Sequence, residues 1–172
     1  MPAPALDKPA PIFFGTAVIK SQFKQISLSD FRGKYVVFFY YPSIFSCVCS
    51  AELLEFSNRI AEFENINCKL VGATFDNKYS VMACTNTPSK QGGLSKINIS
   101  LISDIDGEIT KACGLMQHNI KIPLRGLFIN DNNQVLCQVT IGTHHVAESV
   151  DETLRFLRAF KYCKEHGPGT TV

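Results

Sequence analysis

Charge is scarce in this chain. Aspartate, glutamate, lysine and arginine make up 19% of its 172 residues, and the formal net charge at pH 7 is only +2. No run of lysine and arginine occurs, so the footprint that tracks nucleic-acid phosphates is missing and no nucleic-acid partner is expected. Long apolar runs are missing too. The longest, Tyr35 to Tyr41, is strand-sized, far short of the ~18 residues a membrane helix needs, so no membrane partner is expected. The opening Met1-Pro2-Ala3-Pro4-Ala5-Leu6-Asp7-Lys8-Pro9 has neither the basic flank nor the apolar centre of a secretory signal. No internal repeat and no linker rich in Gly or Ser divides the chain. A single domain over 1–172 is the expectation, and 45% apolar residues are ample for its core.

Cysteine, by contrast, is plentiful. Seven are present, at 47, 49, 68, 84, 113, 137 and 163. The number is odd, the chain is long enough to fold without disulfides, and no targeting segment is evident. These features favour a reducing, cytoplasmic setting with most thiols unoxidised. Cys68, Cys113 and Cys137 read as small core hydrophobes, Cys68 and Cys137 lying in apolar runs. Cys47 and Cys49 form a C-x-C pair, a pattern that soft metals use. No second close cysteine or histidine pair completes a zinc site, so no metal is expected. His144-His145 reads as a solvent-exposed loop pair.

Hydrophobic patterning alternates between strand and helix. Lys34 to Tyr41 is a β-branched and aromatic run that suits a strand covered on both faces, ended by Pro42. A helix is expected from about Cys49 to Glu64, with Leu53, Phe56, Ile60 and Phe63 on its apolar face and Glu52, Glu55, Arg59 and Glu62 polar between them. Cys68 to Phe75 reads as the next strand, Tyr79 to Ala83 as a weak helix, Leu101 to Asp104 as a strand end, and Gly107 to Cys113 as a short helix. Gly126–Asn130 and Gln134–Ile141 form a hairpin across Asp131-Asn132-Asn133. Ser149 opens the last helix with a capping-box spacing to Glu152, and Val150, Leu154, Leu157 and Phe160 give it a buried stripe. This order implies an α/β fold, with a mixed central sheet and helices on both faces. A thioredoxin-like fold satisfies it, although pattern alone does not single that fold out.

Pro42, Ser46 and Cys49 make a P-x-x-x-S-x-x-C motif that joins the buried strand to the amphipathic helix. The motif resembles the active-site segment of the peroxiredoxins. Lys8-Pro9-Ala10-Pro11, LSDFRGKYVVFFYYP (Leu28 to Pro42), NTPSKQGGL (Asn86 to Leu94), LRGLFI (Leu124 to Ile129) and SVDETLR (Ser149 to Arg155) are similar to the typical two-cysteine branch, from about Lys8 to Gly167. The resemblance implies a thiol-dependent peroxidase acting on hydrogen peroxide and alkyl hydroperoxides, with Cys49 as the attacking residue. Only the thiolate attacks, and an ordinary thiol near pKa ~8.5 is mostly protonated at neutral pH. The first turn of a helix offers the sulfur backbone N–H groups and the positive end of the helix dipole. By resemblance, Arg125 supplies a fixed positive charge and donors to the peroxide oxygens. Ser46 aligns those oxygens, Pro42 shields the pocket, and Glu52 orients Arg125. Ser46 also suits a plain helix cap. The product is a sulfenic acid. A thioredoxin or small-thiol reductant and a homodimer or higher oligomer are implied, with no cofactor.

The chain departs from the family pattern at several places. Ser50 and Ala51 stand where proline and threonine usually follow the cysteine, and Cys47 replaces a phenylalanine. Cys84 takes the place of a tryptophan, a residue the chain lacks altogether, and Ser95 follows Gly92-Gly93-Leu94 where glycine is usual. Glu148 replaces an active-site arginine, and a carboxylate reaching the pocket would oppose the thiolate. Thr170 lies where the C-terminal resolving cysteine would be, which leads us to expect one-cysteine turnover through an external thiol, with Cys47 and Cys163 as doubtful internal substitutes. The alternative is a catalytically weakened relative that serves as a chaperone-like or binding module.

Overall fold

A computed structural model describes residues 4–116, 122–143, 147–167 and 169. His144, His145 and Thr170, singled out above, lie outside the described residues.

The fold is organised around one strand. In β3 (Tyr35–Tyr41) every residue is buried, as a run apolar at all positions requires. Strand residues alternate sides, so Val37, Phe39 and Tyr41 face one core while Val36, Phe38 and Tyr40 face another. The first core is closed by α1 (Cys47–Asn58), α2 (Ile60–Asn65), α3 (Lys78–Asn86) and α5 (Val150–His166). The second is closed by α4 (Glu108–Ala112) and by Phe13 and Leu28 of the N-terminal segment. Phe13 stacks on Phe38 with ring centres 4.9 Å apart, and Phe56 of α1 lies 5.1 Å from Phe39 on the opposite side.

The sheet has seven strands in the order β2-β1-β5-β4-β3-β6-β7. β4 (Cys68–Thr74) pairs parallel with β3 and with β5 (Ser100–Ser103). β6 (Arg125–Asn130) pairs antiparallel with β3 and with β7 (Leu136–Gly142). This is the mixed sheet expected, with helices on both faces. No described helix is long and apolar enough to cross a membrane.

Four expectations need correction. A first hairpin, β1 (Phe14–Ile19) and β2 (Gln22–Ser27), extends the sheet beyond β5 and was not read from the sequence. Its turn uses Lys20 and Ser21, both in the left-handed region with φ of 48° and 59°, rather than the Asn-Gly or Asp-Gly that usually marks such a turn. The helix expected from Cys49 to Glu64 begins at Cys47 and divides at Arg59, where φ −104° and ψ 17° leave the helical basin. Glu52, read as part of that helix's polar face, is 4% exposed. Cys137 is only half-buried, because β7 is the outermost strand of the sheet, whereas Cys68 and Cys113 do lie in the core.

The last helix matches its pattern except at Phe160, which is half-buried rather than buried. The Ser149 hydroxyl accepts a hydrogen bond from the Glu152 N–H, and Val150, Leu154 and Leu157 are buried.

A buried polar cluster ties β3 to α4. The Asp104 carboxylate, 4% exposed, accepts from the Tyr40 hydroxyl at 2.9 Å and the Thr110 hydroxyl at 2.7 Å. It also accepts from the N–H groups of Ile109 and Thr110 at 2.9 and 2.8 Å, which otherwise have no partner in the first turn of the helix. Removing the carboxylate strands several buried donors at once. We expect Asp104→Ala to lower the unfolding free energy by about 3 kcal/mol, and Tyr40→Phe by about 1 kcal/mol. Urea denaturation followed by circular dichroism measures both. An unshifted midpoint for Asp104→Ala would show that water replaces the carboxylate without loss.

Candidate active site

β3 and β6 are antiparallel neighbours, with Tyr40 opposite Gly126. The carboxyl end of β3 therefore lies beside the start of β6, where Arg125 stands. The chain leaves β3 through Pro42 and enters α1 at Cys47, with Ser46 as the N-cap. Cys49 is the third residue of the helix. The first intrahelical bond in this turn is donated by Ser50 N–H to Ser46 O at 2.8 Å, so the N–H groups before it remain at the helix's positive end.

Arg125 and Cys49 meet there. The Arg125 Nη1 donates to the Cys49 Sγ at 3.0 Å across 76 residues of sequence, and the two side chains are 1% and 2% exposed. Glu52 stands three residues beyond Cys49, hence on the same helix face, and forms a buried ion pair with the Arg125 guanidinium. The structure thus joins Cys49, Arg125 and Glu52 in direct contact. It places Pro42 and Ser46, both half-buried, on the loop that opens the helix. The Ser46 hydroxyl makes no capping hydrogen bond, so the plain-cap reading does not hold.

The other thiols differ from Cys49 in surroundings. Burial pushes Cys68 and Cys113 up to about 12, with Asp104 adding to the effect at Cys113, and pushes Cys137 up to about 11. Cys84 is fully buried and its thiol is also raised by burial, opposed by the backbone amides of Phe45 and Leu94. Cys163 lies on α5, half-buried. No cysteine is in a disulfide. Among the described residues no group of three or more His, Cys, Asp or Glu side chains is placed to hold a metal ion.

Two departures from the family pattern take on a physical meaning. The Ser50 hydroxyl donates to the Gly92 carbonyl at 3.3 Å, tying the first turn of α1 to the loop after α3. In that loop Gly93 packs against the Thr87 carbonyl so closely that any side chain would collide with the backbone. Glu148 stands one residue before the cap of α5. Its Oε1 lies 3.9 Å from where a Cβ on Gly142 would be, and Gly142 is the cross-strand partner of Arg125. Burial raises the Glu148 carboxyl above its ordinary range while the charge of Arg125 pulls it down. The Glu148 carboxyl is therefore within electrostatic reach of the guanidinium that contacts Cys49.

Sequence reasoning missed one contact at the site. The Asp76 Oδ2 accepts from the Ile44 N–H at 2.6 Å, in the loop between Pro42 and Ser46. The available signal was position: Asp76 follows β4 at the carboxyl edge of a parallel pair, where α/β sheets hold their ligands.

Comparison with known proteins identifies the family. The profile of the AhpC/TSA family matches residues 6–139. "Peroxiredoxin 2" of Drosophila melanogaster is 45% identical over 164 residues, covering 95% of this chain and 84% of that protein. "Thioredoxin-dependent peroxide reductase, mitochondrial" of Bos taurus is 44% identical, over 96% of this chain and 64% of that protein. The reduced crystal structure of Plasmodium vivax 2-Cys peroxiredoxin superposes with a TM-score of 0.91 at 30% identity, covering 98% of this chain and 90% of the other. With matches of this extent, a thioredoxin-like fold and a cysteine held between a helix start and a buried arginine, the chain belongs to the AhpC/TSA family and, within it, to the peroxiredoxins.

Proposed function

We propose that the protein is a thiol-dependent peroxidase that reduces hydrogen peroxide and alkyl hydroperoxides through a sulfenic acid on Cys49. The observation that carries this reading is the 3.0 Å contact of the Arg125 Nη1 with the Cys49 Sγ, in a site almost closed to solvent. In the reaction the Cys49 thiolate attacks the terminal oxygen of the hydroperoxide. An S–O bond forms as the O–O bond breaks, and the leaving alkoxide or hydroxide takes a proton to become alcohol or water. Arg125 holds its charge beside the reacting sulfur and oxygens, where a water-poor site makes that charge count most. Glu52 fixes the guanidinium. The Ser46 hydroxyl, unused as a cap, is available to the peroxide oxygens, and Pro42 walls the pocket.

Turnover requires a thiol. The sulfenic acid condenses with one thiol to give a mixed disulfide and water, and a second thiol reduces that disulfide. The Bos taurus relative is named for thioredoxin dependence, and we extend a thioredoxin-type dithiol or a small thiol to this chain. Thr170 at the resolving position supports release by such an external thiol. We place the protein in a reducing compartment, the cytoplasm, as a homodimer or larger assembly.

Four outcomes test the reading. Cys49→Ser is expected to abolish peroxide consumption and sulfenic acid trapping, and Arg125→Met to slow Cys49 oxidation by about 10²-fold. Stopped-flow kinetics with mass-spectrometric mapping measures both; equal labelling of the Cys49→Ser protein would refute the assignment. Glu148→Gln is expected to raise the oxidation rate severalfold at neutral pH, because it removes a negative charge within reach of Arg125. An unchanged rate would mean that solvent screens the Glu148 charge. Stoichiometric peroxide without added thiol is expected to leave the protein free of disulfide-linked dimer on non-reducing electrophoresis. A dominant dimer lost in Cys163→Ser would make Cys163 the resolving residue.

A further inference from the structure

The loop between β3 and α1 carries two of the residues assigned to the peroxide pocket, Pro42 and Ser46, and its backbone is strained. Phe45, immediately before the cap, has φ +61°, a conformation in which a bulky side chain is rarely found. The residue is 49% exposed, so burial in the core does not hold it there. Strain of this kind persists only where neighbouring groups over-determine it.

The groups that hold it are identifiable. The Ile44 N–H donates to the Asp76 Oδ2 at 2.6 Å, the length of a strong, charge-assisted hydrogen bond. The Ile44 side chain is buried in the core that contains Cys49. The Phe45 amide lies against the Cys84 thiol. Asp76 in turn is fixed on the sheet. The Thr74 hydroxyl donates to the same Oδ2 at 2.9 Å, and the Ser103 hydroxyl donates to the Asp76 carbonyl at 2.7 Å. Thr74 is the last residue of β4, directly opposite Tyr41 at the end of β3. The carboxylate is thus a fixed post at the carboxyl edge of the sheet.

Asp76 has no competing structural duty at the helix that follows it. The cap of α3 is Asn77, whose side chain accepts from the N–H groups of Tyr79 and Ser80. Among the described residues Asp76 forms no ion pair with a lysine, arginine or histidine. Its charged oxygen is committed to the backbone of the active-site loop and to the threonine that steadies it.

We propose that Asp76 is a positioning residue of the peroxide pocket: through the Ile44 N–H it holds the Pro42–Ser46 loop in its strained shape, and so keeps the Ser46 hydroxyl where the peroxide oxygens must lie. The proposal rests on the peroxidase reading of Cys49. It separates two properties of the site. Attack on a hydroperoxide needs the thiolate and a pocket that aligns two oxygens in line with the sulfur. Alkylation by iodoacetamide needs only an accessible thiolate. A loosened loop impairs the first and spares the second, and misplacement by ångströms is enough to matter.

The test measures the second-order rates of Cys49 with hydrogen peroxide and with iodoacetamide in wild type, Asp76→Ala, Asp76→Asn and Thr74→Val, with thermal unfolding alongside. Asp76→Ala is expected to slow peroxide oxidation about tenfold or more while leaving alkylation nearly unchanged. Asp76→Asn keeps an oxygen acceptor for the Ile44 N–H and is expected to recover most of the peroxide rate. Thr74→Val keeps the carboxylate but removes its supporting hydroxyl, and is expected to shift the peroxide rate in the same direction by less. Should Asp76→Ala fail to fold, the Asp76→Asn and Thr74→Val rates decide the matter. An unchanged peroxide rate in Asp76→Ala, or in Thr74→Val where Asp76→Ala is lost, overturns the proposal. Peroxide and iodoacetamide rates that fall together overturn it as well, since Asp76 would then act on the thiol or the fold. A wild-type protein whose Cys49 reacts with peroxide no faster than an unactivated thiol overturns the peroxidase reading itself, and the positioning role with it.

Discussion

A guanidinium with 1% of its surface exposed persists only where its charge is answered, and Arg125 is answered from α1. Glu52 supplies the ion pair and Cys49, one helical turn earlier, supplies the sulfur. Burying Glu52 without the arginine, or the arginine without its partners, would be heavily unfavourable. Together they lock the rotation of α1 on the sheet and the height of the helix above the end of β3. The remaining architecture serves that contact. β3 must end beside the start of β6, the connecting loop must be short, and the helix must present residues 49 and 52 on one face. In this sense the central contact of the candidate site is also a determinant of how the layers fit.

The same site carries the chain's most consequential departure from its family pattern. Arg125 faces Glu52, the Cys49 sulfur and, at longer range, Glu148, so one cation is shared among more acidic groups than the resemblance implies. The half-buried position of Glu148 moderates this, because burial favours its neutral form. Other departures are absorbed structurally. Ser50, in place of proline, gains a hydrogen bond to Gly92. Cys84, in place of tryptophan, sits fully buried against the active-site loop rather than at the surface.

The sheet's carboxyl edge organises the rest. β3, β4 and β5 run parallel and end together, at Tyr41, Thr74 and Ser103. From that edge come the loop with Pro42 and Ser46, the Asp76 post, and Asp104 with its hold on Tyr40 and α4. A strained residue such as Phe45 is tolerable beside so many fixed hydrogen bonds. Two rigid polar clusters, one on each side of β3, leave the intervening loop little freedom to relax.

Much of this was legible in the linear order of residues. Tyr35 to Tyr41 is apolar at every position, and a strand of that kind has to be covered on both faces. The spacing of Leu53, Phe56 and Phe63 demands an amphipathic helix after it. The Pro42, Ser46 and Cys49 spacing marked the strand-to-helix junction as the site, and the stripe of Val150, Leu154 and Leu157 with Ser149 as cap placed the last helix. Local patterns of this sort work because backbone periodicity dictates which residues share a face. They do not say which strand lies beside which. The turn at Lys20-Ser21 has no glycine to announce it, so the hairpin it closes was silent. Periodicity alone grouped Glu52 with the polar positions of its helix, and only the resemblance paired it with Arg125; β6 brings Arg125 against it, so it is buried. Cys137 read as core until β7 proved to be the sheet's outermost strand. The Ile44–Asp76 contact exists only because β3 and β4 pair in one particular register. Residue order marked most of the elements and the candidate cysteine; strand order and register, set by the packing of both cores, decided which charges meet it.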